Sequence, residues 1–195
     1  MENLKNIIQA PLPDKIFLST MNKVEIFKNL YIIVAIGKNY EIGANNDLVW
    51  ECSEDLQYFK EITMGSSLLM GGNTFDSLPG ILPGREHYVF PNRNQNRNQL
   101  SIAGVNTLDS VEEGLNLVRI NPHIDYFVIG GGKFYGLLKP YVSTMYITEV
   151  DAYFPKSTVF FPEIDRAKWN IELGDQLIDP ITKFKYRNNR YTRKF

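Results

Sequence analysis

A run of glycines follows a strand-like segment in the C-terminal half of the chain. The apolar segment Asp125–Ile129 leads directly into Gly130, Gly131 and Gly132, and a helix is expected to begin at Lys133. Glycines let a backbone approach a phosphate closely, and a helix N-terminus offers free N–H groups and the positive end of its dipole. The turn therefore predicts a nucleotide site, although glycines at a strand-to-helix turn can also be purely structural.

A second turn of the same kind comes earlier, where Gly71 and Gly72 follow the apolar segment Ser67–Met70. Thr74 can cap the short helix that follows, or donate its hydroxyl to a phosphate. In a mostly parallel sheet both turns would lie at the carboxyl ends of strands, where such sheets bind ligands. The two turns together predict a dinucleotide cofactor more strongly than either does alone.

One acid, Asp55, has neighbours that suit proton chemistry. It lies in the first turn of a predicted helix that Ser53 can cap, with Leu56 and Phe59 beside it and Trp50 before it. A carboxyl group among apolar side chains has a raised pKa and can exchange protons near neutral pH. The alternative is structural, because acids at helix N-termini complement the helix dipole. The local pattern leaves both interpretations open.

Other catalytic chemistries lack their residues in this sequence. The chain has two histidines, His87 and His123, and one cysteine, Cys52. It has no Gly-x-Ser-x-Gly motif, no P-loop and no cluster with the spacing of metal ligands. We therefore expect neither a metal centre nor an intrachain disulfide. Cys52 is interpreted first as a small buried residue and second as a reactive thiol.

The bulk composition narrows the class of protein. The chain has 195 residues, 44% of them hydrophobic, and a net charge of −1. This composition is typical of one globular domain and gives no bias toward nucleic acid or membranes. The longest apolar stretch, Leu30–Ile36, is too short to span a bilayer, and the N-terminus lacks a secretory pattern. We expect a cytoplasmic protein, although access to the nucleus fits the same observations.

The elements that would position these residues alternate between strands and helices. This order is typical of an α/β fold with a mostly parallel central sheet, helices on both faces and a C-terminal antiparallel hairpin. We divide the chain into an N-terminal extension of unknown role, residues 1–29, and one domain, residues 30–195. Strands are expected at Tyr31–Ile36, Ser67–Met70, His87–Phe90, Asp125–Ile129, Ser143–Val150, Trp169–Leu173 and Phe184–Tyr191. Helices are expected from Ser53 to Ile62, Thr74 to Leu78, Asp109 or Ser110 to Val118, and Lys133 to Leu138.

Taken in order, these segments resemble the dihydrofolate reductase family from Tyr31 to the C-terminus. The resemblance implies the fold of that family and an enzyme that reduces 7,8-dihydrofolate to 5,6,7,8-tetrahydrofolate by hydride transfer from NADPH. Such an enzyme supplies one-carbon metabolism and thymidylate synthesis and binds antifolate inhibitors. We expect a monomer, with a dimer formed through the extension as the alternative. The matching segments are Ile42-Gly43, Trp50 with Asp55, Met70-Gly-x-x-Thr-Phe-x-Ser77, Leu82-Pro-Gly-Arg85, Val128–Tyr135, Thr148 with Asp151, and Phe160–Asp165.

The resemblance also implies roles for individual residues. Asp55 would bond the pterin edge and promote protonation of N5, Thr148 would bond that carboxylate, and Arg85 would pair with the α-carboxylate of the glutamate tail. In the family, the glycines matching Gly130 and Gly131 are joined by a cis peptide. The implied catalytic residues are Asp55, Trp50, Thr148 and Tyr135. The implied substrate-binding residues are Ile33, Ala35, Asp55, Leu56, Phe59, Ser77, Leu78, Leu82, Arg85, Ile129 and Thr148. The implied cofactor-binding residues are Ala35, Ile42, Gly43, Gly71, Gly72, Asn73, Thr74, Phe90, Asn92, Arg93, Gly130, Gly131, Gly132, Lys133, Phe134 and Tyr135.

Three positions depart from the family's pattern. Gly72 stands where Arg or Lys is usual beside the cofactor phosphates, and Pro91-Asn92 replaces a pair containing Ser or Thr near the 2′-phosphate. Val49 replaces the proline that normally precedes the tryptophan. Lys133 and Arg93 are candidates to compensate near the phosphates. NADPH is the expected cofactor, and its preference over NADH stays open.

Two further hypotheses assign other functions to the chain. A pyrimidine reductase of the riboflavin pathway shares this architecture, but Arg85 and Asp55 argue against it because its substrate has a ribityl phosphate and no glutamate tail. A catalytically weak folate-binding or assembly protein is the third hypothesis. The departures at Gly72, Pro91 and Val49 keep that hypothesis open.

Overall fold

The computed structural model describes residues 24–92 and 105–195. The predictions that fall on residues 1–23 and 93–104, including Arg93 and most of the polar loop after Asn92, lie outside the described residues. The elements are β1 (Phe27–Ile36), β2 (Glu41–Ala44), β3 (Asp47–Leu48), α1 (Ser53–Thr63), β4 (Ser67–Gly71), α2 (Gly72–Ser77), β5 (Glu86–Phe90), β6 (Val105–Thr107), α3 (Val111–Ile120), β7 (Tyr126–Gly130), α4 (Gly132–Leu138), β8 (Val142–Val150), β9 (Val159–Phe160), β10 (Trp169–Glu172), β11 (Leu177–Ile178) and β12 (Lys185–Arg193).

The central sheet has the strand order β10-β12-β8-β1-β7-β4-β5-β6, with β11 paired to β12. Every pairing from β8 through β1, β7, β4 and β5 to β6 is parallel. The C-terminal strand β12 runs antiparallel to both β8 and β10. The predicted α/β fold, with its mostly parallel sheet and C-terminal antiparallel hairpin, is confirmed.

The helices cover both faces of the sheet, as predicted. Successive side chains of a strand point to opposite faces, and β1 shows this alternation. Ile32 and Val34 belong to one buried cluster, together with side chains of α3 and α4. Ile33 belongs to another, against which side chains of α1 and α2 pack. Burying one such aliphatic side chain contributes about 1.5–3 kcal/mol, so the two faces together supply much of the stability.

The starts of the helices differ in part from the prediction. Ser110 caps α3 as expected, accepting a hydrogen bond from the N–H of Glu113 over 3.1 Å. Ser53 does not cap α1. Cys52 occupies the N-cap position, but its thiol donates to the Glu54 carboxylate over 3.2 Å and does not cap the helix backbone. Thr74 does not cap α2 either, because the helix begins at Gly72, directly after β4.

Short strands account for most of the remaining differences between the predicted and the observed elements. A small antiparallel sheet with the order β3-β2-β9 forms beside the main sheet, and no sequence pattern predicted it. Its strands are two to four residues long, which is too short for an alternating pattern to emerge. At the other end of the chain, β1 begins at Phe27, so the sheet includes the last residues of the predicted extension. The division at residue 29 stays a prediction.

Candidate active site

Asp55 meets Thr148 at the carboxyl end of the sheet. The hydroxyl of Thr148, on β8, donates to Asp55 Oδ1 over 2.6 Å, although 93 positions separate the two residues. Thr148 is buried and lies in register with Ala35 of β1. Burial raises the pKa of Asp55 above its ordinary value, and the hydrogen bond from Thr148 opposes that shift. The pair forms a fixed carboxylate with a perturbed pKa, which is what proton chemistry requires.

An apolar slot lies on the same face of the sheet. We define the pterin slot, named for the substrate that the resemblance implies, as Ile33 together with four half-buried residues packed against its cluster, Phe59, Leu78, Leu82 and Ile129. These five residues come from α1, the end of α2, the loop before β5, β7 and β1. The structure therefore brings together five of the predicted substrate-binding residues as one apolar surface.

Other predicted substrate residues lie outside that surface. Leu56 is 42% exposed on α1, and the exposed Ser77 donates its hydroxyl to the carbonyl of Thr74 over 2.7 Å. Ala35 is half-buried and packs with Trp50 instead of with the pterin slot. The predicted roles of these three residues in substrate binding stay predictions.

Arg85 stands beside the slot as a cation. Its guanidinium lies 5.9 Å from the ring centre of Phe59, and Nη1 donates to Thr63 Oγ1 over 3.1 Å. Burial lowers the pKa of Arg85 from its ordinary value, but a guanidinium keeps its charge in proteins. Among the described residues, no carboxylate forms an ion pair with it. A charged, half-buried guanidinium of this kind suits an incoming carboxylate.

The two glycine turns lie side by side because β4 and β7 are neighbouring strands, with Met70 paired to Gly130. The peptide bond between Gly130 and Gly131 is cis, as the resemblance implied. A β-carbon placed on Gly130 would lie 2.9 Å from Thr74 Oγ1, so the first turn of α2 packs directly on the second glycine turn. The two turns are therefore adjacent in space, and their role as one cofactor site stays a prediction.

The donor chemistry of these turns fits a polyanionic cofactor. The donors available are backbone amides, the hydroxyl of Thr74 and the exposed ammonium of Lys133. Neither residues 71–74 nor residues 130–135 include an acid, so nothing in the turns repels phosphate. At the end of β5, the amide of Asn92 donates to Asn73 Oδ1 over 2.7 Å and joins this strand to α2.

Aromatic rings and the small sheet border the turns. Phe90 stacks on Phe134 with ring centres 4.7 Å apart, and a β-carbon on Gly71 would lie 2.6 Å from the Phe134 ring. Ile42 of β2 lies next to Gly132, since a β-carbon there would be 3.9 Å from its side chain. Gly43, also on β2, accepts a hydrogen bond from the N–H of Thr158 over 3.0 Å. Ile42, Phe90 and Phe134 thus lie around the two turns, whereas Ala35 packs against the cluster of Trp50. The predicted roles of these residues in cofactor binding stay predictions.

Two residues predicted to act in catalysis use their polar atoms inside the protein. The buried hydroxyl of Tyr135 donates to the carbonyl of Ile33 over 2.9 Å, and burial raises its pKa. The indole N–H of Trp50 donates to Asp179 Oδ2 over 3.0 Å. Any contact of these side chains with a ligand would therefore come from the rings, and their catalytic roles stay predictions.

The sequence did not indicate the partners of Trp50 and Leu82. Asp179, in the loop between β11 and β12, is separated from Trp50 by 129 positions. His87 accepts a hydrogen bond from the backbone of Leu82, although it carried no motif. The Asp-Pro step at residue 179 predicts a turn, but nothing local indicates a tryptophan as its partner.

Neither a membrane span nor a metal cluster is found in residues 24–92 and 105–195. No described helix is long and apolar enough to cross a bilayer. No group of three or more His, Cys, Asp or Glu residues in these ranges could hold a metal ion.

Known proteins match the chain across this whole arrangement. The family model described as "Dihydrofolate reductase" matches residues 29–193. The dihydrofolate reductase of Bacillus subtilis is 35% identical over 163 residues, which cover 83% of this chain and 93% of that protein. The dihydrofolate reductase of Neisseria gonorrhoeae is 37% identical over 139 residues, covering 71% of this chain and 82% of that protein. Because the family model spans the pterin slot and both glycine turns, the chain belongs to the dihydrofolate reductase family of NADPH-dependent oxidoreductases.

Proposed function

We propose that this chain reduces 7,8-dihydrofolate to 5,6,7,8-tetrahydrofolate. The observation that carries the proposal is the placement of an acid and a cation at opposite ends of one apolar slot. Asp55 and Thr63, which Arg85 contacts, lie on the same helix and are separated along its axis by about 12 Å at 1.5 Å per residue. A substrate with a polar ring at one end and a carboxylate at the other matches this arrangement.

Asp55 would bind the pterin edge through its ionised form. Thr148 occupies Oδ1 and fixes the rotamer of the carboxylate, which leaves Oδ2 for N–H donors of the substrate. Among the described residues, no cation pairs with Asp55, so burial keeps its pKa above the ordinary value. The carboxylate can then promote protonation of N5 of the pterin through a water molecule near neutral pH.

Arg85 would pair with the α-carboxylate of the glutamate tail. Its planar fork can donate two parallel hydrogen bonds to a carboxylate, which an ammonium cannot do. The neighbouring ring of Phe59 and the bond to Thr63 restrict the guanidinium before substrate binds. Less side-chain freedom is then lost on binding.

The glycine turns would hold NADPH, which supplies the hydride when it is bound. Thr74 and the backbone at residues 130–132 would bind its phosphates, and the rings of Phe90 and Phe134 would border it. Lys133 is the described cation available for the 2′-phosphate, and Arg93 is the second candidate. Preference for NADPH over NADH is part of this proposal. Antifolate binding, a monomeric state and a cytoplasmic location remain predictions, as do the absence of nucleic-acid and membrane partners.

The test is NADPH oxidation with dihydrofolate, followed by the Asp55→Asn change. We expect the wild-type protein to turn over and Asp55→Asn to lose about 10²- to 10⁴-fold in rate at neutral pH. Asp175→Asn, at an exposed acid between β10 and β11, is the matched control and should keep the wild-type rate. A variant as active as the wild type would contradict the role of Asp55.

The same assay separates the alternatives. Turnover of a ribityl-phosphate pyrimidine without turnover of dihydrofolate would support the reductase of the riboflavin pathway. Tight binding of an antifolate without turnover of either substrate would support a folate-binding or assembly protein. The family match favours the folate substrate over both alternatives.

A further inference from the structure

His87 is a buried polar side chain that the proposed reaction does not use. It lies on β5, in register with Leu68 of β4 and Val105 of β6, and is 0% exposed. The ring of Phe75, on α2, meets it edge-on with ring centres 6.4 Å apart. A polar ring in such an apolar environment costs free energy unless its nitrogen atoms are hydrogen-bonded.

One ring nitrogen of His87 is bonded to the loop that precedes β5. The backbone N–H of Leu82 donates to His87 Nε2 over 3.2 Å. Within the described residues, Nδ1 is buried without a hydrogen-bond partner. A nitrogen that accepts cannot also carry a proton, so this geometry requires the neutral ring with its proton on Nδ1.

The bonded loop is the part of the site that would meet the substrate tail. We define the tail segment as residues 82–85, which begins with Leu82 of the pterin slot and ends with Arg85. Near its end, Gly84 accepts a hydrogen bond from the N–H of Gly65 over 3.0 Å. The bond to His87 holds the beginning of the segment, so the tail segment is attached to the rest of the domain at both ends.

We propose that His87 is a positioning residue for the tail segment and that it acts as a neutral hydrogen-bond acceptor. The inference rests on the proposed function, which assigns Leu82 and Arg85 to the benzoyl-glutamate half of dihydrofolate. A protonated ring would turn an N–H toward the N–H of Leu82, and two donors cannot bond each other. The beginning of the tail segment would then be released, and the slot would bind the tail less tightly.

The environment of His87 favours the neutral ring. Burial lowers the pKa of His87 below its ordinary value, and the charge of Arg85 acts in the same direction, while the Arg85 backbone opposes the shift. Phe75 of α2 meets the ring, Leu68 of β4 and Val105 of β6 are its neighbours in register, and none of the three is charged. Among the described residues, Arg85 is therefore the one charged group that acts on it. The tail segment is held at neutral pH and released as the pH falls through the lowered pKa.

The experiment compares two substrates of the full-length enzyme with saturating NADPH. Dihydrofolate carries the tail, and 6-methyl-7,8-dihydropterin lacks it. The ratio of their KM values isolates the contribution of the tail to binding. Titration of Asp55 changes the binding of the pterin, which both substrates share, so it cancels in the ratio. We expect the ratio of the dihydrofolate KM to the dihydropterin KM to rise about fivefold to tenfold as the pH falls through the lowered pKa of His87.

Two variants and one matched control show whether His87 causes the pH dependence of the KM ratio. His87→Gln keeps an acceptor near the position of Nε2 but does not titrate, so its ratio should stay near the neutral wild-type value at every pH. His87→Leu removes the acceptor, so its ratio should be raised about fivefold to tenfold at neutral pH and then be independent of pH. The exposed residue His123 is the control, and His123→Gln should keep the wild-type pH dependence.

Two results would overturn the proposal. One is a His87→Gln enzyme whose ratio rises at low pH as the wild type does. The other is a His87→Leu enzyme in which both KM values rise equally. If His87→Leu fails to fold, the pH profile of His87→Gln decides alone. A wild-type protein that turns over neither substrate would reject the proposed function instead, so the two failures are distinguishable.

Discussion

The two ends of the candidate site are built from different kinds of atoms. At the pterin end, the proposed recognising groups are the side chains of Asp55, Thr148 and Arg85, which come from α1, β8 and the loop before β5. At the cofactor end, they are mainly backbone groups of two glycine turns that are adjacent because β4 and β7 are neighbouring strands. Recognition at the pterin end depends on which side chains are present. Recognition at the cofactor end depends on how closely the backbone can approach the cofactor.

Two of the three departures from the family pattern fall at the cofactor end, and the third, Val49, lies beside Trp50. Gly72 and Pro91-Asn92 change side chains at a place where the backbone makes most of the available contacts. A changed side chain there alters the charge near the cofactor but leaves the backbone donors in place. At the pterin end a single changed side chain would remove the recognising group itself. Substitutions at the two ends should therefore differ in the size of their effect. They should also differ in which constant they change, the KM for dihydrofolate or the KM for NADPH.

Among the substitutions that compare binding at the two ends, Arg85→Leu is expected to have the largest effect. Loss of a charge-assisted, bidentate contact should raise the KM for dihydrofolate about 100-fold, because hydrogen bonds to charged groups contribute about 1.5–3 kcal/mol. The KM for NADPH and the KM for a tail-less dihydropterin should stay unchanged. Steady-state kinetics with all three compounds checks this. An equal rise in the cofactor KM would break the separation between the two ends.

Gly71→Ala tests the cofactor end by close packing. The new β-carbon would lie 2.6 Å from the ring of Phe134, which is stacked on Phe90 and cannot move freely. We expect a loss of about 1–3 kcal/mol in the free energy of unfolding, measured by urea denaturation, and a higher KM for NADPH. Gly136→Ala, where a β-carbon meets no atom within 4 Å, is the matched control. Equal stability of the two variants would contradict the close approach.

Thr148→Val should shift the pH dependence of dihydrofolate binding. The hydroxyl of Thr148 stabilises the ionised form of Asp55, so its removal raises the pKa of Asp55 further above the ordinary value. The carboxylate then protonates at a higher pH, and the KM for dihydrofolate begins to rise at a higher pH than in the wild type. The effect at neutral pH should be less than about tenfold. A shift to lower pH would reverse the assignment.

The smallest effect is expected for Lys133→Met. Exposed ion pairs contribute about 0–1 kcal/mol, so the ratio of the NADPH and NADH KM values should change by about fivefold or less. The KM for dihydrofolate should not change. A change above about 100-fold would mean that this side chain, and not the backbone, dominates recognition at the cofactor end.

Much of the fold could be predicted because its signals are local. The apolar run at Tyr31–Ile36 predicted β1, and Ser110 predicted the start of α3, since periodicity and capping depend on near neighbours in sequence. The small sheet formed by β2, β3 and β9 could not be predicted in this way. Its strands are too short to carry a period, and their pairing with each other depends on the path of the intervening chain.

The sequence by itself determined the residue types of the site: one acid at a helix start, two glycine turns after strands and an arginine after Leu82-Pro-Gly. Tertiary structure alone decided their partners. Asp179 reaches Trp50 across 129 positions, and Thr148 bonds Asp55 across 93 positions, a contact that the family resemblance implied but no local pattern could show. The physical reason is that residue type and local period are properties of neighbours along the chain. Burial, pKa and hydrogen-bond partners are properties of neighbours in space, and strand order and register decide those neighbours.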